Sequence, residues 1–488
     1  MSLVALWSVL AVALPILAGL LAGLSSVDLA YHLRAGQQFL NTGQIPTADQ
    51  YTFTAAGAHW LNQQWGAQAL FAAVHRLAEW AGLEILRASL LGVIYALVFE
   101  MCRHRGVDRR RAAWLTLATF AVSASALALR PQLLGMVLLA FTLFILADRG
   151  RHPKRLWILP AVVIVWANLH GSFFLGPLAI GLAWLEDLHD RVPGRVQTLV
   201  VSVAAALAAV VNPFGPTIWS YALGLSTNPI ITDRITEWQP TTLRSVEGLL
   251  CFGSLALSVV FIARRGRATA WPTLAWLAVF GAIGIFAIRG VAWWPFGAAF
   301  ALAGLATRGS SVAFDAAADA PAVAADRPAS PSRPVLRRAN ALIVGALALT
   351  GVIALPIWRP LDPRIAAPSG LISDAPPGIT SALRELVGPG SRILNPQPWG
   401  SWFEFAVPEA RYVIDSRIEV FPAGVWRDFS DVRAGVEGWA QIIARWQVDF
   451  VVVERGDAAF VQRLIEIGWT EVFRDADGGI LAPPRATP

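Results

Sequence analysis

Charge is scarce in this chain: 15% of its 488 residues are Asp, Glu, Lys or Arg, where an ordinary soluble chain carries about 25%. With 56% hydrophobic residues and a mean hydropathy of +0.54, that scarcity excludes a soluble enzyme. Cysteine is scarcer still. Cys102 and Cys251 are the only two, both beside or inside apolar segments, so neither a disulfide framework nor a cysteine metal site is available. The first apolar run lacks the basic start of a secretory signal and reads as an uncleaved helix. No internal repeat is visible.

What is present is a series of apolar runs. Residues 3–24 are long enough to cross the roughly 30 Å hydrocarbon core. Further spans are expected at 83–102, 112–129, 133–147, 156–167, 173–185, 196–211, 246–263, 271–287, 291–306 and 341–358, about eleven transmembrane helices in all. Residues 60–80 are apolar on one face yet carry Gln63, Gln64, His75, Arg76 and Glu79, which suits an interfacial segment better than a span.

The formal charge is +6, and residues 1–358 hold 26 basic and 16 acidic residues against 13 and 17 in 359–488. The basic excess therefore belongs to the membrane loops. Lys and Arg should gather in cytoplasmic loops, and they alternate accordingly: Arg103 to Arg111, then Arg149 to Arg155, Arg191 with Arg195, Arg264 to Arg267, and Arg308 to Arg338. Short clusters between apolar spans anchor a chain to a bilayer; they do not make a nucleic-acid face, and no nucleic acid is expected as a partner. The expected fold is a polytopic α-helical membrane protein with a small extracytoplasmic α/β domain. Its parts are a multi-span domain over 1–306 with a first external loop at 25–62, a flexible cytoplasmic linker over 307–338, a last span within 339–358, and the α/β domain over 359–488. The N-terminus is placed in the cytoplasm of a cell, in its plasma or inner membrane.

The linker rests on Ala, Pro, Ser and Asp in 310–334, which cannot repay the entropy of ordering. The tail domain rests on alternation. Helices are expected at 379–387, 439–446 and 458–467, and strands at 392–395, 411–414, 450–454, 470–474 and 479–482.

Ionisable groups near membrane depth are functional candidates, and on this topology most face outward. Asp28 follows the first span, and the same loop holds His32, Asp49, His59, Trp60 and Gln64. Later spans end outside in Arg130-Pro131-Gln132, Asn168-Leu169-His170, Asn212-Pro213 and Arg289-Gly290, and the loop near 227–244 adds Asp233 and Glu237. Each has a bland reading. Asp28 fits an N-cap of a helix running to Leu40, Asp49 a turn residue, Arg130 and Arg289 snorkelling cations, His170 a helix-end histidine, and Asn212-Pro213 a helix stop. Their gathering on one face is the stronger signal.

A carboxylate in the first external loop directly after the first span, with helices lying along the membrane in that loop, resembles the GT-C membrane glycosyltransferases. The string Asp28, His32-Leu33, Gly36, Gly43, Ile45-Pro46, Asp49, Trp60 and Trp65 resembles an uncharacterised bacterial branch of that superfamily. The paired Asp-Glu or Asp-X-Asp of some members is absent. Trp399-Gly400-Ser401-Trp402 is similar to the Trp-Trp-Asp-Tyr-Gly stretch of oligosaccharyltransferases without its acidic member. The resemblance implies a polyprenyl-phosphate sugar donor, a glycan, lipid or protein acceptor, and Asp28 as the catalytic carboxylate.

The residue types suit that chemistry. Transfer from a lipid phosphate needs a base for the acceptor proton and cations for the leaving phosphate, but no general acid. Direct attack inverts the anomeric carbon, unlike the two-carboxylate arrangement of retaining hydrolases. Asp28 takes the base role, with Arg130, Arg289 and His170 as candidates for the phosphate. His32, Trp60, Gln64, Gln132 and Asn168 are further substrate-binding candidates, and Asp49 and Glu237 could orient sugar hydroxyls or hold a divalent cation such as Mg2+ or Mn2+. Two other classes use the same residues differently. A transporter or flippase of lipid-linked saccharides would carry charges nearer mid-span, and a non-catalytic assembly subunit would tolerate loss of the Asp28 carboxylate.

Overall fold

The computed structural model describes residues 1–225, 228, 232, 234–266, 269–317 and 334–484. They pack as two compact units, one of Met1–Ala22 with Glu84–Leu355 and one of Gly23–Leu83 with Pro356–Pro488. The sequence places the loop 25–62 with the spans; the packing places it with the tail. Backbone pairing explains the difference. Leu24–Ser25 pairs in parallel with Ile372–Ser373, and the loop touches the sheet edge, Phe53 N donating to the Tyr412 carbonyl at 3.1 Å.

The first unit is helical. Six helical stretches among the described residues are long and apolar enough to cross a membrane: Leu3–Leu21, Trp65–His104, Pro131–Asp148, Val246–Arg265, Ile288–Leu305 and Leu336–Ala354. Arg195–Ala208 and Trp271–Phe286 are apolar but shorter. The other expected spans are also helical yet shorter than a bilayer crossing: Arg109–Val122, Leu159–Ala167 and Leu175–His189. The expected run 156–167 is cut because Pro153–Ile158 turns as a 3-10 helix, leaving nine residues of α-helix. Of the eleven expected spans, six therefore have the length and composition of a crossing among the described residues.

Small residues let these helices approach. A Cβ on Gly19 would stand 2.9 Å from Leu91 Cδ1, and one on Gly297 would stand 2.2 Å from the Phe280 ring. Close packing of this kind stands in for a hydrophobic driving force that lipid cannot supply. A buried charge network joins four helices: Arg105 forks to Glu186 at 3.1 Å twice, Arg149 reaches Glu186 at 2.8 Å and Asp187 at 2.9 Å, and Thr198 closes on Asp187 at 2.7 Å.

Trp65–His104 is not one straight helix. Ala78 and Glu79 leave helical geometry, Glu79 with φ of 51°, between a polar first part and an apolar second part. The first part packs backbone to backbone on Ser26–Thr42, where a Cβ on Gly36 would stand 2.0 Å from the Gln68 carbonyl oxygen. This is the segment expected to be interfacial. The helix Trp294–Ala317 runs into the expected linker, whose central residues 318–333 lie outside the described residues, and Pro334–Ala354 follows.

The second unit centres on a five-stranded sheet in the order Arg411–Tyr412, Arg392–Leu394, Phe450–Glu454, Gly478–Ala482, Thr470–Arg474. The first three strands are parallel and the last two join antiparallel. The helix Gln397–Ala406 packs on Ser26–Thr42 and buries Trp402 and Phe403. Trp80, His75 and Phe405 close the aromatic core around Trp402.

Candidate functional site

Asp28 is the third residue of Ser26–Thr42, whose N-cap is Ser25, so the expected capping position falls elsewhere. It lies half-buried in the first turn, where the helix dipole favours a carboxylate. Residues distant in sequence pin that turn. Ser25 Oγ donates to Asp374 Oδ2 at 3.1 Å, Ser26 Oγ to the Asp374 carbonyl at 2.7 Å, and Ser416 Oγ to the Val27 carbonyl at 2.7 Å. Glu419, which is exposed, lies within electrostatic reach of Asp28.

His32 follows one turn later and is buried. Its Nδ1 lies 3.4 Å from Gln68 Nε2, and Gln68 exchanges amide hydrogen bonds of 2.8 and 2.7 Å with Asn62. Tyr31 and Phe71 cover the ring. Gln64 is half-buried, and its carbonyl opens the helix by accepting from Gln68 N at 3.1 Å.

Asp49 differs from its expected role. It is fully buried and accepts from Arg417 Nη2 at 2.6 Å, Thr52 Oγ at 2.6 Å and Thr52 N at 3.1 Å, so both oxygens are used inside the fold. Arg417 also forks to Asp415, and its guanidinium carbon lies 4.7 Å from the Tyr51 ring centre and 4.8 Å from that of Trp60. Trp60 therefore serves as an aromatic wall for this cation. Glu404 is buried 3.8 Å from Arg417, and burial together with the neighbouring Asp415 pushes its carboxyl well above the usual range. The same carboxylates hold Arg417 charged despite burial.

In the first unit four expected residues converge. Arg130 Nη1 donates to Glu237 Oε1 at 2.7 Å, Arg289 Nε lies 3.9 Å from Glu237 Oε2, and Arg289 Nε donates to Gln132 Oε1 at 3.4 Å. Backbone bonds bring the segments together, Ile288 N to the Gln239 carbonyl at 3.0 Å and Thr241 N to that of Ile285 at 3.1 Å. Burial would raise the Glu237 carboxyl, but Arg289 and Arg130 outweigh it and hold the group below the usual range. Asp233 lies outside the described residues.

His170 is buried close to this network, and burial, followed by the charge of Arg289, pushes its imidazole down to about 3. It is a neutral group at pH 7, not a cation. Nδ1 accepts from Ser172 N at 3.1 Å, so the ring proton sits on Nε2 and remains a donor. Asn168 Nδ2 donates to the carbonyls of Ile164 and Val211 and ties two helix ends.

Sequence reasoning missed Arg417, Asp415 and Glu404. The available signal was a charged Asp-Ser-Arg directly after the apolar Tyr412–Ile414. The carboxylates expected to hold a divalent cation, Asp49 and Glu237, are each engaged by arginine. Among the described residues no group of three His, Cys, Asp or Glu is placed to bind a metal ion. The residues present do not fit that expectation.

No family model matches the sequence, and neither does any curated protein. Solved structures do match. The oligosaccharyltransferase of Archaeoglobus fulgidus in its apo form is 13% identical over 99% of this chain and 74% of its own, with a TM-score of 0.52. The archaeal oligosaccharyltransferase AglB from that organism, in complex with an inhibitory peptide and a dolichol-phosphate, is 13% identical over 92% and 69%, at 0.53. ArnT from Cupriavidus metallidurans bound to undecaprenyl phosphate is 16% identical over 98% of this chain and 97% of that one, at 0.51. At these identities the likeness is one of fold: the chain shares its fold with these oligosaccharyltransferase and ArnT structures.

Proposed function

We propose that this protein is an inverting membrane glycosyltransferase, moving a sugar from a polyprenyl-phosphate donor to an acceptor hydroxyl on the extracytoplasmic side. The observation that carries the reading is the extent of the likeness to ArnT, 98% of one chain and 97% of the other, in a structure that holds undecaprenyl phosphate. The arginine clusters at 103–111, 149–155 and 264–267 favour a cytoplasmic side for their loops and an external side for 23–83 and 356–484.

Asp28 takes the proton of the acceptor hydroxyl. The freed oxygen attacks the anomeric carbon from the face opposite the phosphate, the bond from that carbon to the phosphate oxygen breaks, and the electron pair leaves with the lipid phosphate. Arg130 and Arg289 offset the charge that develops there, and the Nε2–H of His170 supplies a neutral donor. Asp49, Arg417 and Asp415 act at a distance from the reaction, by holding the loop that follows Asp28.

The test is a lipid and glycan comparison of cells lacking the protein with cells carrying only Asp28→Ala. Both should accumulate the same polyprenyl-phosphate sugar and lack the same glycan modification. Unchanged lipid-linked sugars in the two strains would overturn the reading.

A further inference from the structure

The second unit contains a pocket of about 420 Å³ lined by polar residues. Arg34, Gln37 and Asn41 line it from Ser26–Thr42, at the three-and-four spacing that shares one helix face. Arg76, Arg411 and Gln50 close it from three other segments. Arg34 lies about 9 Å along the helix axis from Asp28. Elsewhere in this unit arginines meet carboxylates, as Arg364 meets Asp362 and Arg433 meets Asp457. No carboxylate lies within ion-pair distance of Arg34, Arg76 or Arg411 among the described residues.

The amides are oriented. Tyr51 Oη donates to Gln38 Oε1 at 2.8 Å, Gln38 Nε2 to Gln50 Oε1 at 3.1 Å, and Arg76 Nη2 to Asn41 Oδ1 at 2.6 Å. Guanidinium forks match carboxylates and phosphates, and side-chain amides offer donors and acceptors to sugar hydroxyls. No aliphatic side chain lines the cavity to receive an acyl chain, and its one aromatic ring, Tyr51, is buried with the Arg417 guanidinium against it. The volume falls in the ~300–1,000 Å³ range of ligand sites and exceeds what a lone phosphate needs.

We propose that this cavity binds an anionic saccharide, a glycan unit bearing a carboxylate or a phosphate, and is the recognition subsite for the acceptor. Only the word acceptor rests on the transfer reading; the binding chemistry stands on the cavity itself.

The test is calorimetric titration of the full-length protein in nanodiscs of neutral lipid, with no sugar donor present. The probes are a galacturonic acid trimer, a hexose phosphate, a neutral trisaccharide of matching size, inorganic phosphate and short-chain phosphatidylglycerol. At least one anionic sugar should bind, and Arg34→Gln and Arg411→Gln should each weaken it at least about tenfold. Arg34→Lys should fall between, and the melting temperatures of the variants should match the parent. Equal binding of the neutral trisaccharide, of inorganic phosphate or of the phospholipid would overturn the saccharide assignment. So would failure of both anionic sugars to bind, or binding indifferent to the arginines. Because no donor is present, loss of the Asp28 mechanism would leave these results standing, and the cavity would remain an anionic-sugar site.

Discussion

Arg417 Nη2 lies 2.6 Å from Asp49 Oδ1, a contact between two fully buried side chains 368 positions apart in sequence. It ties the loop after the first helix to the segment that follows the sheet-edge strand. Removing Arg417 leaves Asp49 and Asp415 buried without their cation, a loss of roughly 3–5 kcal/mol, whereas removing Asp49 leaves Arg417 its hydrogen bonds to Asp415 and costs less. Arg417→Met should lower the melting temperature sharply and Asp49→Ala less so, and the double variant should lose less than the sum of the two, because loss of Arg417 has already left Asp49 without its cation. Thermal unfolding followed by tryptophan fluorescence measures this; additive losses would sink the pairing.

Glu404 adds a pH dependence to the same cluster. Its folded pKa is raised, so the folded state keeps a proton that the unfolded chain loses above about 4.5. Its contribution to stability is full below that value and is lost as pH rises toward the folded pKa. Glu404→Gln should therefore flatten the decline of the melting temperature toward alkaline pH, with the variant gaining most at the highest pH tested. An unchanged slope would place the titration on another group.

Parts of the tail were legible because their elements are local, while the helices Gln397–Ala406 and Ala423–Ala434 were not expected. Phe450–Glu454 and Thr470–Arg474 are bounded in the structure as their β-branched and aromatic runs suggest. The positions of Arg130 and Arg289 at the ends of apolar runs were legible, but their shared contact with Glu237 was not. Arg417 was not, since a sequence gives no sign that a cation is buried, and its partners lie in three separate segments. For the same reason the grouping of 23–83 with the tail was hidden: it is made by a two-residue strand pair, serine side chains and one ion pair, none of which has a period.

Asp28→Asn should abolish sugar transfer while the protein accumulates and melts as the parent does. Asp28 is not the N-cap of its helix, and an amide keeps the shape of the side chain, but it cannot accept the acceptor proton. Activity within about tenfold of the parent, only ~1.4 kcal/mol of barrier, would remove the base assignment.

Single cysteines report the topology in a background lacking Cys102 and Cys251. Gln44 is exposed in the first loop, and Gly150 stands in open space within an arginine cluster. In intact cells an impermeant thiol reagent should label Gln44→Cys and spare Gly150→Cys until the membrane is opened. The reverse pattern would invert the orientation.

Arg130 is held by Glu237 at 2.7 Å, and the same carboxylate lies 3.9 Å from Arg289. A leaving phosphate bound by the two guanidiniums must compete with that carboxylate, so Glu237→Gln should tighten binding of polyprenyl phosphate. Arg130→Ala should weaken it and cut turnover, and Arg130→Lys should recover only part of the loss, because an ammonium is a point charge without the planar fork. A snorkelling arginine would behave otherwise, with lysine serving equally well. Binding of polyprenyl phosphate and steady-state transfer, measured on all three variants over a range of donor concentrations, separate the two roles. Full activity in Arg130→Lys with unchanged lipid affinity in Glu237→Gln would leave Arg289 as the phosphate ligand, since it is the other cation that Glu237 holds.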